Sequence, residues 1–160
     1  MPTLTALVHT QDDAPRLGRA LETLLPCDEI LVVDHGSQDA TRRIAREYGA
    51  RVAAAVTGAV PSQWSRIARC EWILCVEPSE SLTEALVASL LEWKSRSHGL
   101  SGGSAFSLYL REETSDGWRE HPTPQTRIVP REWSRWQGRL PAPEPGAIAL
   151  EGALLRFILP

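Results

Sequence analysis

The sequence contains no asparagine and a single lysine, Lys94, against sixteen arginines. Other residue types are nearly as scarce: two phenylalanines, two tyrosines and one methionine, Met1. No stretch approaches the ~18 consecutive apolar residues of a membrane-spanning helix. The opening Met1-Pro2-Thr3-Leu4 also lacks the basic-then-apolar pattern of a secretory leader. The three cysteines, Cys27, Cys70 and Cys75, are an odd number without metal-ligand spacing, which points to buried free thiols in a reducing compartment rather than to a disulfide framework. These shortages together make a cytoplasmic location the expectation. Neither a G-x-x-x-x-G-K-[ST] phosphate loop nor a G-x-G-x-x-G dinucleotide turn is present.

What is present is ordinary globular composition, with 42% hydrophobic and 23% charged residues in a chain of 160. At roughly 100–200 residues per domain, this length predicts one domain over residues 1–160. The net charge of −3 is too mild to predict a nucleic-acid or membrane partner by itself. Short apolar runs at 4–8, 30–33, 52–56 and 72–76 read as buried strands. Between them, apolar residues recur at three- and four-residue spacing. Leu17, Ala20, Leu21, Leu24 and Leu25 predict a helix over 14–25, with Asp13 as cap and Pro15 at its start. Ile44, Ala45 and Tyr48 predict another over 40–48, capped by Ser37 or Asp39 and stopped by Gly49. A short helix is expected around 64–70. A longer one to about Lys94 is expected to open on a Ser81/Glu84 capping box.

Unbroken apolar strands alternating with amphipathic helices predict an α/β fold, a three-layer sandwich with a mostly parallel sheet covered on both faces. That pattern covers residues 1–96. Over 97–160 the texture changes: Gly99 to Gly103 reads as a flexible joint, 105–111 as a strand, and six prolines between Pro122 and Pro145 exclude long helices.

In an open α/β sheet, ligands bind beyond the carboxyl ends of the strands. Three polar loops fall there: His9 to Asp13, Asp34 to Asp39, and Glu77 to Glu80. Asp34, after four aliphatic residues, can accept bonds from a ribose or a base edge, or can simply cap the turn. Glu77 and Glu80 can share a hard cation with substrate phosphates, or Glu80 can be a solvated residue at a helix start. Arg127, Arg131, Arg135 and Arg139 recur every four residues and can hold phosphates or form plain surface. Trp133 and Trp136, interleaved with them, suit sugar stacking better than nucleic acid at a sequence pI near 5.8.

The stretch from Leu7-Val8-His9-Thr10-Gln11-Asp12-Asp13 through Asp28-Glu29-Ile30-Leu31-Val32-Val33-Asp34-His35-Gly36-Ser37-Gln38-Asp39-Ala40-Thr41 to Tyr48-Gly49-Ala50-Arg51-Val52 resembles the opening of the inverting glycosyltransferase family 2. The resemblance implies a GT-A-type, Rossmann-like nucleotide-sugar-binding fold, with 1–96 as the nucleotide half and 97–160 as a short, Pro-rich acceptor side. It implies Thr10, Gln11, Asp12, Asp34, Gly36 and Arg127 as substrate-binding residues and Glu77 as a ligand of Mg²⁺ or Mn²⁺, with Glu80, three residues on, the second carboxylate that the spacing offers. Glu77-Pro78-Ser79 stands where the family has Asp-x-Asp, and Pro141-Ala142 stands where a related subgroup has His-Glu. No general base is therefore assigned, with Glu144 and Glu151 the nearest carboxylates in sequence. The implied activity is transfer of a sugar, with inversion, from a UDP- or GDP-linked donor to a saccharide or lipid-linked acceptor in bacterial cell-envelope synthesis. The alternative is a catalytically degenerate module that keeps the fold for binding or assembly. A peripheral place at the inner membrane face and a homo-oligomeric state are both compatible with the resemblance, and no nucleic-acid partner is expected.

Overall fold

The computed structural model describes residues 1–96 and 104–160. The glycine-rich joint expected at Gly99 to Gly103 lies outside the described residues. Strands β1 (Leu4–Thr10), β2 (Glu29–Asp34), β3 (Arg51–Ala54) and β4 (Trp72–Cys75) form the parallel part of a large sheet, in the order β3-β2-β1-β4. Their all-apolar character has a physical cause. Leu4, Ala6 and Val8 of β1 point to one face and Leu7 to the other, and all four are buried.

Helices α1 (Ala14–Leu21) and α2 (Thr41–Glu47) cover the first face, and α3 (Pro61–Ile67) lies on the second with Trp64 and Ala68. Helix α1 is four residues shorter than its apolar periodicity predicts. The Thr23 hydroxyl donates to the Ala20 carbonyl and accepts the Leu82 N–H, so the last expected turn anchors a neighbouring strand instead. Helix α2 stops as expected, with Gly49 left-handed at φ +80° and its N–H donated to the Arg46 carbonyl. Helix α3 begins earlier than expected, because Pro61 suits a first helical turn and Gln63 Oε1 accepts the Val60 N–H.

The expected Ser81/Glu84 capping box does not form. Ser81 lies in a short strand, β5 (Glu80–Leu82), and Thr83 caps the long helix α4 (Glu84–Ser95) by accepting the Leu86 N–H at 3.2 Å. Beyond the joint the chain holds no helix among the described residues, as the prolines predict, but short strands: β6 (Phe106–Thr114), β7 (Gly117–Glu120), β8 (Gln125–Pro130), the small β9–β10 hairpin (Trp136–Gln137 and Leu140–Pro141) and β11 (Ile148–Arg156). Among the described residues the sheet has nine strands, continuing from β4 through β8, β6 and β11 to β5, with β7 on β6. Strand β8 runs antiparallel to β4 and β6, whereas β6 and β11 are parallel. The ends of β6 and β11 and the start of β8 therefore reach the same edge as the carboxyl ends of β1, β2 and β4.

The larger core lies between this sheet and α1, α2 and α4, where Trp72, Trp93 and Phe106 meet edge to face at centroid distances of 5.4–5.6 Å. The second core gathers Leu7, Leu31, Ile73 and Val129 under α3, with Trp133 buried and Trp136 packed against it. These two tryptophans are packing residues, and their indole N–H groups donate to the Arg135 and Trp133 carbonyls. Among the described residues, no helix is long and apolar enough to cross a membrane.

Candidate functional site

The parallel register sets Thr10 directly opposite Asp34 at the carboxyl ends of β1 and β2. Two polar loops leave from this point and lock together. Asp12, the only non-glycine described residue at positive φ (+52°), accepts the Gln38 N–H at 2.8 Å, and its own N–H donates to Ser37 Oγ. Aspartate tolerates this left-handed backbone better than most side chains. Asp13 accepts from the Thr10 hydroxyl at 2.8 Å and from the Gln11 N–H, so it does not cap α1 as expected. The free N–H of Ala14 goes to Asp39 instead, and Asp39 also accepts from the Thr41 hydroxyl.

Within this frame Asp34 is nearly fully buried. Its Oδ2 accepts the Ser37 N–H at 3.1 Å and lies 3.8 Å from Arg42 Nη1, while its Oδ1 is buried with no hydrogen-bond partner. A buried carboxylate oxygen without a donor is costly and calls for an explanation. Two cavities are lined by its neighbours Thr10 and His35, though not by Asp34 itself. One, of about 240 Å³, is lined by His9, Thr10, Gln11, Arg16, Glu77 and Arg139 among others. The second, of about 350 Å³, is lined by His35, Gly36, Ala55, Thr57 and Trp64.

The two cavities meet at a histidine pair that motif reading passes over. His9 Nδ1 and His35 Nε2 are 2.9 Å apart, so a single N–H lies between the rings. Burial, then His35 and Arg139, push the His9 imidazole down to about 4. Burial and Arg139 lower His35 as well, and at neutral pH the pair is uncharged beside an arginine. The available signal was positional: both histidines sit at the ends of adjacent parallel strands.

The expected metal pair separates. Glu77 lines the 240 Å³ cavity, with Oε2 3.3 Å from Arg156 Nη2. Glu80 is fully buried beneath it. Its carboxylate is held bidentately by Arg127 at 2.7 and 2.8 Å, and it also accepts the Glu77 N–H and an Arg156 bond at 3.0 Å. Burial raises the Glu80 carboxyl, but the Arg127 hydrogen bonds and charge outweigh it and hold the group below the ordinary range. Arg127 is likewise fully buried, with further bonds to the Cys75 carbonyl and Gln125 Oε1. Its five N–H donors are all used, which leaves none for a substrate phosphate. Arg127 and Glu80 thus brace β8 against β4 and β5, and do not face the cavity as ligands. Among the described residues, no group of three or more His, Cys, Asp or Glu side chains could hold a metal ion.

The four-residue arginine interval also fails to form one patch, because the segment is a strand, a turn and a hairpin rather than a helix. Arg135 stacks on Trp133 and pairs with Glu144 at 2.5 Å, Arg131 pairs with Glu132, and only Arg139 reaches the cavity.

No family model matches the sequence, and no curated protein shows a significant match. Solved structures do resemble the fold. S. aureus TarS superposes with a TM-score of 0.54 at 16% identity over 81% of this chain and 28% of that one. The fold is glycosyltransferase-like, of the GT-A type. A 1–349 form of TarS gives 0.51 at 17% identity, over 76% of this chain and 38% of that one. Glucosyl-3-phosphoglycerate synthase from Mycobacterium tuberculosis, in complex with Mg²⁺ and UDP, gives 0.50 at 16% identity, over 69% and 43%. The chain therefore spans less than half the length of these similar proteins.

Proposed function

We propose that this chain binds a nucleotide-sugar at the edge of its parallel strands and transfers the sugar, with inversion, to a hydroxyl acceptor in the manner of glycosyltransferase family 2. The observation that carries the reading is Asp34: a buried carboxylate at the end of β2, one oxygen unpartnered, flanked by Thr10 and His35, each of which lines a cavity. A nucleoside N–H or ribose hydroxyl supplies the missing donor. The His35–Gly36–Trp64 cavity suits the base and ribose, and the cavity bearing Arg16, Arg139 and Glu77 suits the diphosphate. Gly36, at φ +81° with open space around it, lets a ligand approach the backbone closely. Thr10 and Gln11 form the rim, and Asp12 acts by holding the two loops in register.

During transfer, negative charge grows on the departing diphosphate, and guanidinium groups at that end stabilise it. The solved synthase is complexed with Mg²⁺. Here Glu77 is the one carboxylate of the expected pair that faces the cavity, and a lone carboxylate holds Mg²⁺ or Mn²⁺ only jointly with donor phosphates. The donor class is UDP- or GDP-linked, and the acceptor a saccharide or lipid-linked saccharide of the bacterial cell envelope, reached from the cytoplasm or the inner membrane face.

Thermal unfolding with UDP-glucose, UDP-N-acetylglucosamine and GDP-mannose, with and without Mg²⁺ or Mn²⁺, tests the reading. A donor at about 100 times its Kd stabilises by ~2.7 kcal/mol, a rise of roughly 5–10 °C for a chain of this size. Asp34→Ala is expected to abolish the rise, and a flat response to the whole panel would sink the proposal. The arginine-locked Glu80 favours a second reading, a degenerate binding module. That reading predicts a donor-induced rise with no sugar-nucleotide turnover.

A further inference from the structure

A third cavity, of about 620 Å³, adjoins the diphosphate-side cavity, the two sharing Leu140 in their walls. Its lining includes His121, Gln125, Thr126, Gln137, Pro124 and Pro141, and His121 is the only ionisable member. Amide and hydroxyl groups between proline rings suit a neutral polyhydroxylated molecule, which offers hydroxyls to the polar groups and C–H faces to the rings. The strand directions put this cavity at the same sheet edge as Asp34 and Glu77.

His121 is oriented. Its Nε2 lies 2.9 Å from Glu112 Oε2 on β6, and its backbone N–H is tied to the Leu110 carbonyl. An ionised carboxylate only accepts, so Nε2 carries the hydrogen and Nδ1 presents its lone pair. No protein partner takes that lone pair among the described residues. Glu112 is held in turn by Arg156, 3.5 Å away, and the same guanidinium bonds Glu77 at the diphosphate-side cavity. The other charged groups packed around the pair are Arg119 and Glu120 of β7, the latter paired with Arg111.

We infer that this cavity is the acceptor site and that His121, positioned by Glu112, is the general base of the transfer. The inference rests on the glycosyl-transfer reading and supplies the base that no sequence carboxylate provides. In the step, an acceptor hydroxyl gives its proton to His121 Nδ1 while its oxygen forms the new bond to the anomeric carbon. The bond from that carbon to the diphosphate breaks, and its electron pair leaves on the diphosphate oxygen. The imidazolium then returns the proton to solvent. Glu112 is a positioning residue: by accepting the Nε2–H it fixes the tautomer that leaves Nδ1 open to the proton.

The test uses the whole chain with glycerol as acceptor and the three nucleotide-sugars above as donors. It reads nucleotide release and, separately, UDP binding. His121→Gln is expected to lower release at least 100-fold while the Kd for UDP stays within about twofold. Glu112→Gln is expected to lower kcat for nucleotide release about tenfold while the KM for glycerol and the Kd for UDP stay within about twofold, and Glu112→Asp to recover most of that loss; a merely structural role moves KM or Kd together with kcat. Release within threefold of wild type in His121→Gln, or no release by a wild-type protein that binds UDP, overturns the base assignment alone. Failure of the wild type to bind UDP overturns the nucleotide-site reading, and this inference with it.

Discussion

Asp34 and Glu80 are both buried carboxylates at one edge of one sheet, yet their surroundings give them opposite roles. Glu80 has every oxygen satisfied by Arg127, Arg156 and the Glu77 N–H, whereas Asp34 keeps one oxygen unpartnered. Removing one member of a buried pair strands the other charge, so Glu80→Gln is expected to cost about 3–5 kcal/mol in urea unfolding. His9 carries a pH signature. Its folded value of about 4 lies below the ordinary 6.5, so the unfolded chain binds the extra proton between those limits and stability falls as pH drops from about 6.5 to 4. His9→Gln is expected to flatten that part of a melting-temperature-against-pH curve; an unchanged slope would count against the neutral pair. The one lysine has a structural use as well. Lys94 is buried and donates to Asp28 Oδ2 at 2.7 Å and to the Pro26 carbonyl, tying the end of α4 to the start of β2.

At the scale of elements, composition and periodicity located most of residues 1–96. Strands β1 to β4 and helices α1, α2 and α4 stand close to their expected places because apolar runs and three-to-four spacing reflect burial on a face, which local sequence encodes. The misses share a cause. Strand β5 and the shortened α1 depend on Thr23 bonding Leu82 across 59 positions, a tertiary event that no window of sequence contains. Strand β11 shows the same dependence. It bulges between Ala149 and Ala153, and Gly152 there is left-handed at φ +93°, where an added Cβ would sit 2.4 Å from the Leu86 backbone nitrogen. Gly152→Ala is therefore expected to destabilise by roughly 3 kcal/mol through strain and backbone displacement, measurable by chemical unfolding.

For the whole molecule, a single sheet runs through both halves, since β4 pairs with β1 on one side and β8 on the other. Trp93 of the first half packs on Phe106 of the second. The chain is accordingly expected to melt in one transition, and a 1–96 fragment, with β4 unpaired on one edge and α4 uncovered, is expected to show no cooperative melt by circular dichroism; a cooperative fragment would divide the chain into two units. The sequence alone determined the α/β class, the parallel character of the first strands and the polar loops after β1, β2 and β4, because apolar patterning and chain direction are local properties. Only the tertiary structure decided which polar residues line cavities. Arg127 and Glu80 looked like site residues and were buried against each other, while the scattered His9, His35 and His121 and, of the regularly spaced arginines, Arg139 line cavities. A polar side chain's role depends on its solvation and partners, and those partners arrive from distant strands.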